Sequence, residues 1–184
     1  MIGIPDSGIP GAVGFAQASG IPYGEGLVKN RYVGRTFISP TQSLRQQGIR
    51  LKLNPLRHVI AGKRLVVVDD SIVRGNTTRK LVKLLREAGA AEVHMRITSP
   101  PVAWPCFYGI DTDTQEQLIA STHEIEAVRD FVGADSLAHL SLEDLVASTG
   151  RTADEFCHAC FSGDYPIEIP EQVKRGKLRL ETVC

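Results

Sequence analysis

Residues 65–80 read LVVVDDSIVRGNTTRK, and this stretch decides the fold. It opens with an apolar, mostly β-branched run, which is typical of a strand buried in a parallel sheet. Two adjacent carboxylates, Asp69 and Asp70, follow the run. A helix is predicted over 76–88, because its apolar residues fall on one face and Gly89 is a residue type that ends helices.

A second strand is predicted over 92–98, where Val93, Met95 and Ile97 alternate with polar residues. Strand, helix and strand then follow one another within about 35 residues, as in a βαβ unit. Such a unit has parallel strands and a right-handed crossover. The sequence therefore predicts an α/β fold.

Shorter elements are expected on both sides of this unit. Residues 2–5 resemble the end of a strand, and Ser141 precedes Asp144 by three positions, as in a capping box with Asp in place of Glu. Short helices are predicted over 10–19 (with Val13, Phe15 and Ala16 facing the core), 114–120, 124–132 and 141–148. The expected architecture is a mostly parallel sheet flanked by helices, with a helical C-terminal portion.

The charges are segregated although 21 basic and 21 acidic residues cancel. Residues 26–68 carry nine Lys or Arg and no acidic residue, whereas residues 111–171 carry fourteen acidic and two basic residues. A basic stretch attracts nucleic acid, a phosphorylated small molecule or an acidic partner. The alternative is that the two stretches solvate opposite faces, and charge alone leaves both open. Weak periodicity over 27–49 predicts a mobile excursion from the core.

Several protein classes are excluded by composition. No run of about 18 apolar residues occurs, so no membrane-spanning helix is predicted. The first ten residues lack the basic and apolar segments of a signal peptide, and four cysteines in 184 residues do not make a disulfide scaffold. We expect a cytoplasmic protein. The sequence contains neither the GxxxxGK[ST] nor the GxGxxG nor the HExxH motif.

The loop after the first strand has the chemistry of a phosphate site. Ligands of open α/β sheets bind at the carboxyl ends of the strands, and a helix N-terminus presents N–H groups to anions. Gly75 lets the backbone approach a ligand, Thr77 and Thr78 carry hydroxyl donors, and paired carboxylates suit Mg²⁺ or ribose hydroxyls. Taken alone, the pattern is equally that of an ordinary strand–loop–helix with capping residues.

The full string is more specific, and it resembles the phosphoribosyl pyrophosphate (PRPP) loop of type I phosphoribosyltransferases. Three further stretches occur in matching order: PDSG at 5–8, KNRYVGRTF at 29–37 and PCFYGID at 105–111. Together they resemble the amidophosphoribosyltransferase family over nearly the whole chain. The resemblance implies a type I phosphoribosyltransferase fold with a mobile basic lid.

The resemblance also implies a domain organisation. We expect residues 1–170 to form a phosphoribosyltransferase domain without its first segment, and residues 171–184 to form a polar tail. The family places a glutaminase domain before this region, so we expect an N-terminally truncated chain that lacks the glutamine-hydrolysing half.

The implied reaction displaces pyrophosphate from PRPP with ammonia and gives 5-phosphoribosylamine, the first step of de novo purine synthesis. Purine nucleotides are implied as inhibitors, and the full-length form is expected to be a homo-oligomer; no nucleic acid or membrane partner is expected. The alternatives are a non-catalytic PRPP-binding regulator on the same fold and a base-salvage phosphoribosyltransferase.

Site residues are carried over from matching motifs. Mg²⁺ would be held by Ser7, Asp69 and Asp70, and a lid carrying Lys29, Arg31 and Arg35 would close over the substrate. PRPP would be bound by Asp6, Ser7, Gly8, Asp69, Asp70, Ser71, Arg74, Gly75, Asn76, Thr77 and Thr78.

The cysteines receive two interpretations. A single C-x2-C at Cys157 and Cys160 is typical of metal or redox chemistry, but equally of two buried thiols. Some family members bind a [4Fe–4S] cluster, which needs four cysteine ligands. The resemblance implies that Cys106, Cys157 and Cys160 match three of them and that the fourth is missing from this chain.

Overall fold

A computed structural model describes residues 1–32, 52–110, 112 and 114–170. In this part of the chain, four parallel strands form one sheet in the order β1-β4-β5-β6, and β2 pairs antiparallel with β3 in a separate ribbon. The strands are β1 (Ile2–Gly3), β2 (Leu27–Lys29), β3 (Leu53–Pro55), β4 (Arg64–Asp69), β5 (Glu92–Ile97) and β6 (Ser136–His139). The predicted parallel sheet is confirmed.

Helices flank the sheet and make up much of the C-terminal half. They are α1 (Gly8–Ser19), α2 (Arg57–Ile60), α3 (Asn76–Glu87), α4 (Ile119–Thr122), α5 (Ile125–Val132), α6 (Leu142–Ala147) and α7 (Ala159–Ser162), with 3-10 turns at Gln115–Gln117 and Ala153–Glu155. Among the residues that the structure describes, none of the helices has both the length and the apolar character needed to cross a membrane.

The core lies between α3 and the sheet. In β5 the residues Val93, Met95 and Ile97 are buried, as the alternation predicts, and they pair in register with the buried run of β4. The inner face of α3 contributes Leu81, Leu84 and Leu85. The predicted βαβ unit is therefore confirmed.

Helix α1 departs from the prediction. It begins at Gly8 instead of residue 10, and Phe15 is exposed rather than inward, while Val13 and Ala16 are half-buried. The reason is that α1 approaches the sheet through small residues: Ala12 is fully buried, and a Cβ at Gly11 would lie 2.7 Å from the Thr98 side chain. The prediction relied on the spacing of large apolar residues, so it missed the face of α1 that carries Gly11 and Ala12.

The helix predicted over 114–120 is divided. A 3-10 turn covers Gln115–Gln117, Leu118 is extended, and α4 starts at Ile119. The helix breaks there because the Ile119 N–H donates to the carbonyl oxygen of Val73 at 2.9 Å, and not to a carbonyl of its own helix.

Ser141 is the N-cap of α6, as predicted, but the Asp144 carboxylate accepts from the Ser141 hydroxyl instead of from the backbone N–H that a capping box requires. Ser141 Oγ accepts from the Asp144 N–H at 3.0 Å and donates to Asp144 Oδ2 at 2.6 Å. We expect Ser141→Ala to lower the free energy of unfolding by about 1 kcal/mol, because an N–H of the first turn loses its acceptor. Thermal unfolding should show a fall in Tm of about 2–4 °C. Ser141→Thr keeps both the acceptor and the hydroxyl donor and should retain the parent Tm; an equal loss in both variants would contradict this explanation.

Because the sheet is parallel, the carboxyl ends of β1, β4, β5 and β6 lie on one edge. The loops that leave this edge carry most of the predicted site residues. The predicted excursion over 27–49 lies mostly outside the described residues, as do Arg35 and the tail at 171–184.

Candidate functional site

The first part of the site is the turn between β1 and α1. Beyond the strand, the Ile4 N–H still donates to the carbonyl oxygen of Val68, and the Gly8 N–H donates back to that of Ile4, each at 2.9 Å. A Cβ at Gly8 would lie 2.3 Å from the Val68 oxygen, so this close approach requires glycine. Asp6 and Ser7 are exposed at the tip, and the Pro5–Asp6 peptide bond is cis. The hydrogen bond from Ile4 and the close approach of Gly8, both to the carbonyl oxygen of Val68, hold the turn beside the end of β4.

The second part is the pair of carboxylates at the end of β4. The Asp70 N–H donates to Asp69 Oδ1 at 3.0 Å, and the Ser71 N–H donates to Asp70 Oδ1 at 2.7 Å. The carbonyl oxygen of Asp69 accepts from the Thr98 N–H at 3.0 Å, which fixes the loop to the end of β5. Asp69 is half-buried and Asp70 is exposed. The sequence thus places one sheltered and one open carboxylate side by side.

The two carboxylates suit a hard cation. Burial raises the pKa of Asp69 to about 7, and the negative charge of Asp70 adds to this effect. A bound cation would favour the ionised form. Mg²⁺ is usually held by one or two carboxylates together with substrate phosphates, so these two residues fit it without a third acidic ligand.

Asp69 should make the stability of the metal-free protein depend on pH. Its pKa is about 7 when folded and 3.8 in the reference state, so the folded protein binds more protons between these values. The free energy of unfolding should therefore fall as pH rises from about 4 to 7. In EDTA, Asp69→Asn should raise Tm at pH 8 and give little gain at pH 4. An equal difference in Tm at both pH values would contradict this assignment.

The third part is the turn that leads into α3. Gly75 has φ = 74°, a left-handed conformation, and it occupies the N-cap position of this twelve-residue helix. Arg74, Asn76 and Thr77 are exposed around the helix N-terminus. Thr78, in the first turn of α3, is only 4% exposed. The turn combines backbone N–H groups with exposed polar side chains, an arrangement that suits a phosphate.

Two residues that support this turn were not predicted from the sequence. A Cβ at Gly75 would lie 3.0 Å from the ring of Phe131 and 3.1 Å from the side chain of Ile119. The guanidinium of Arg79 lies 5.2 Å from the centroid of the Phe131 ring. Both supports come from helices more than 40 positions downstream, and no local pattern connects them with the loop.

Basic residues lie beside the first turn. Lys29, at the end of β2, places Nζ 2.5 Å from Asp6 Oδ2. This hydrogen bond lowers the pKa of Asp6, and the charges of Lys29, Arg31 and Lys52 lower it further. Lys29 and Arg31 are thus near the turn at 5–8, whose residues are predicted to bind PRPP, whereas Arg35 is outside the described residues.

The cysteines come later in the chain than these three loops. Cys106 and Cys160 are half-buried, Cys157 is exposed, and none of them forms a disulfide. Burial raises the pKa of the Cys160 thiol, and nearby Cys106 and Cys157 contribute. Across residues 1–32, 52–110, 112 and 114–170, no three His, Cys, Asp or Glu side chains gather closely enough to hold one metal ion. The iron–sulfur assignment stays a prediction.

Comparisons with known proteins agree with the geometry. Residues 1–98 match the phosphoribosyl transferase domain family. The whole chain is 64% identical to an amidophosphoribosyltransferase of Synechococcus elongatus, and 91% of it is 60% identical to the Bacillus subtilis amidophosphoribosyltransferase. The chain spans 37% and 36% of these relatives.

Solved structures show the same fold. A B. subtilis glutamine PRPP amidotransferase complexed with ADP and GMP superposes with a TM-score of 0.82 at 59% identity, over 92% of this chain and 38% of its own. A structure described as the allosteric regulatory enzyme of purine biosynthesis gives the same TM-score at 57% identity, over 94% and 38%. The chain therefore belongs to the phosphoribosyl transferase domain family and corresponds to the phosphoribosyltransferase portion of proteins named amidophosphoribosyltransferase.

Proposed function

We propose that this chain transfers the phosphoribosyl group of PRPP to ammonia, with release of pyrophosphate and formation of 5-phosphoribosylamine. The observation that carries this proposal is the placement of two polar turns and two carboxylates at the ends of neighbouring parallel strands. The turn at Asp6–Gly8 follows β1, and the loop from Asp69 to Thr78 follows β4. PRPP has phosphates at opposite ends of its ribose, so one turn can hold each end.

The chemistry assigns a role to each part. The C1–oxygen bond breaks through an oxocarbenium-like transition state, and negative charge accumulates on the leaving pyrophosphate. Backbone N–H groups of the first turn and the ammonium of Lys29 would stabilise that charge. The turn that leads into α3 would hold the 5′-phosphate. C1 of the ribose would then lie between this turn and the turn at Asp6–Gly8. Neutral ammonia carries its own lone pair, so no general base is required for the attack itself.

Mg²⁺ is the cofactor that the carboxylates favour. Ser7, Asp69 and Asp70 would hold it together with the substrate, and the ion would neutralise pyrophosphate oxygens. No step of the proposed reaction is assigned to an iron–sulfur cluster.

We also propose that purine nucleotides bind at the same site and inhibit the reaction. The B. subtilis relative is described as complexed with ADP and GMP. A nucleotide carries a 5′-phosphate on ribose, as PRPP does, so it can compete for the α3 turn and for Asp69 and Asp70. We also propose that the protein is a cytoplasmic homo-oligomer. A non-catalytic regulator is not favoured, since the similar proteins bear the name of an enzyme.

The proposal is tested by pyrophosphate release. The chain is incubated with PRPP, Mg²⁺ and ammonium chloride near pH 8.5, where a substantial share of the ammonium is deprotonated. We expect release that depends on both Mg²⁺ and ammonia, with parallel loss of PRPP. Samples with EDTA, or with sodium chloride in place of ammonium chloride, serve as controls. Pyrophosphate release that is unchanged in EDTA, or none in any sample, would contradict the proposal.

A further inference from the structure

Asp6 is an acidic residue on a turn that is proposed to bind an anion. It immediately precedes Ser7 and Gly8, whose backbone lies at the start of α1. A carboxylate beside pyrophosphate repels it, so the residue is unfavourable for the ligand unless its charge is compensated. The structure shows the compensation, because Lys29 reaches across from β2 and forms an ion pair with it.

The ion pair joins two elements that are remote in sequence. Asp6 and Lys29 are 23 positions apart, and β2 is held by β3 instead of by the main sheet. Asn30 also donates its N–H to the carbonyl oxygen of Lys52 at 2.8 Å, so the ribbon continues past Lys29. The Lys29 side chain is 28% exposed and that of Asp6 is 63% exposed. The ammonium is thus held at the turn, whereas its carboxylate partner is open to solvent and to an arriving ligand.

We propose that Asp6 is an exchange partner for Lys29: its carboxylate holds the Lys29 ammonium at the turn before substrate binds, yields it to the pyrophosphate group of the substrate, and takes it back as pyrophosphate leaves. This rests on the proposed function, because it deepens the role of the same turn. Asp6 is then a positioning residue that competes with the ligand and does not contact it.

Exchange and simple orientation of Lys29 predict opposite effects of removing the Asp6 charge on pyrophosphate binding. An ammonium has three donors, so Lys29 could in principle bridge the carboxylate and the pyrophosphate. Bridging would bring two anionic groups to one cation, and exchange avoids that repulsion. If exchange holds, removing the charge of Asp6 strengthens pyrophosphate binding; if Asp6 merely orients Lys29, its removal weakens binding.

The test is a calorimetric double-mutant cycle with Mg²⁺-pyrophosphate as the ligand. Asp6→Asn is expected to lower the dissociation constant about two- to fivefold, the range of one exposed ion pair. Lys29→Met is expected to raise it. Asp6→Asn added to Lys29→Met should tighten binding by less than Asp6→Asn does in the parent chain, because only the direct repulsion is then relieved and no ammonium is released. Glu143→Gln, which removes one exposed acidic charge on α6, serves as the matched control and should leave the constant unchanged.

The rate at which the Lys29 amine is chemically modified, measured by mass spectrometry, reports on its ion pair with Asp6 before ligand is added. Lys29 should react faster in Asp6→Asn than in the parent chain, and Mg²⁺-pyrophosphate should protect it in both; exposed Lys83 provides the internal reference. Weaker or unchanged binding by Asp6→Asn, or equal tightening in the Lys29→Met background, would overturn the exchange alone. An absence of binding by the parent chain would overturn the proposed function and the exchange with it.

Discussion

Replacement of either carboxylate at the end of β4 is expected to abolish the reaction. Asp70→Asn and Asp69→Asn should each lower kcat/KM for Mg²⁺-dependent use of PRPP with ammonia by at least about 100-fold. Asn is nearly isosteric with Asp, but it lacks the charge that holds a cation against the substrate. The measurement is pyrophosphate release at saturating ammonia and varied PRPP.

The stability of these variants separates chemistry from folding. Asp69→Asn should unfold at the same or a higher temperature than the parent at pH 8, because it removes a half-buried charge. Glu126→Gln, on the exposed side of α5, is the matched loss of one carboxylate and should retain full activity. If kcat/KM of Asp70→Asn stayed within a few-fold of the parent value, Asp70 could not be a ligand of the metal.

Gly8→Ala is the second change with a large expected effect. The added Cβ would lie 2.3 Å from the carbonyl oxygen of Val68 and 3.2 Å from Cα of Asp69, so the backbone of either the turn or the strand must move. We expect a loss of about 2–3 kcal/mol in the free energy of unfolding, hence a fall in Tm of about 5–10 °C. PRPP binding should weaken as well, because the two halves of the site meet at this contact.

Gly14→Ala provides the matched control on the same helix. A Cβ at Gly14 would meet nothing within 4 Å, and alanine is the better helix former by up to about 1 kcal/mol. This variant should be as stable as the parent or more stable. If Gly8→Ala were equally well tolerated, the close approach of the turn to β4 would not constrain the fold.

Much of the sheet could be predicted from residues 65–98 alone. A buried parallel strand needs an uninterrupted apolar run, and α3 needs a single apolar face, so both leave clear patterns in the sequence. Helix α1 was harder, since it packs through glycine and alanine, and periodicity assigned Phe15 to the core when it is 38% exposed. Close packing by small residues leaves no hydrophobic signal.

Part of the site could likewise be predicted from the sequence, and part could not. Asp69, Asp70 and Gly75 are contiguous with a predicted strand and helix, so the sequence brings them together locally. The support by Ile119 and Phe131, and the ion pair between Asp6 and Lys29, arise from tertiary packing between distant segments. Spacing along the chain carries no information about such contacts, which is why only the structure could supply them.

The most direct test of the account is PRPP binding to the whole chain by titration calorimetry, with and without Mg²⁺. The account predicts binding at one site per chain that requires Mg²⁺, that is lost in Asp69→Asn and Asp70→Asn, and that is retained in Glu126→Gln. Failure of the folded chain to bind PRPP, or binding of equal strength in EDTA and in both Asp variants, would contradict the claim that these loops form a metal-dependent phosphoribosyltransferase site.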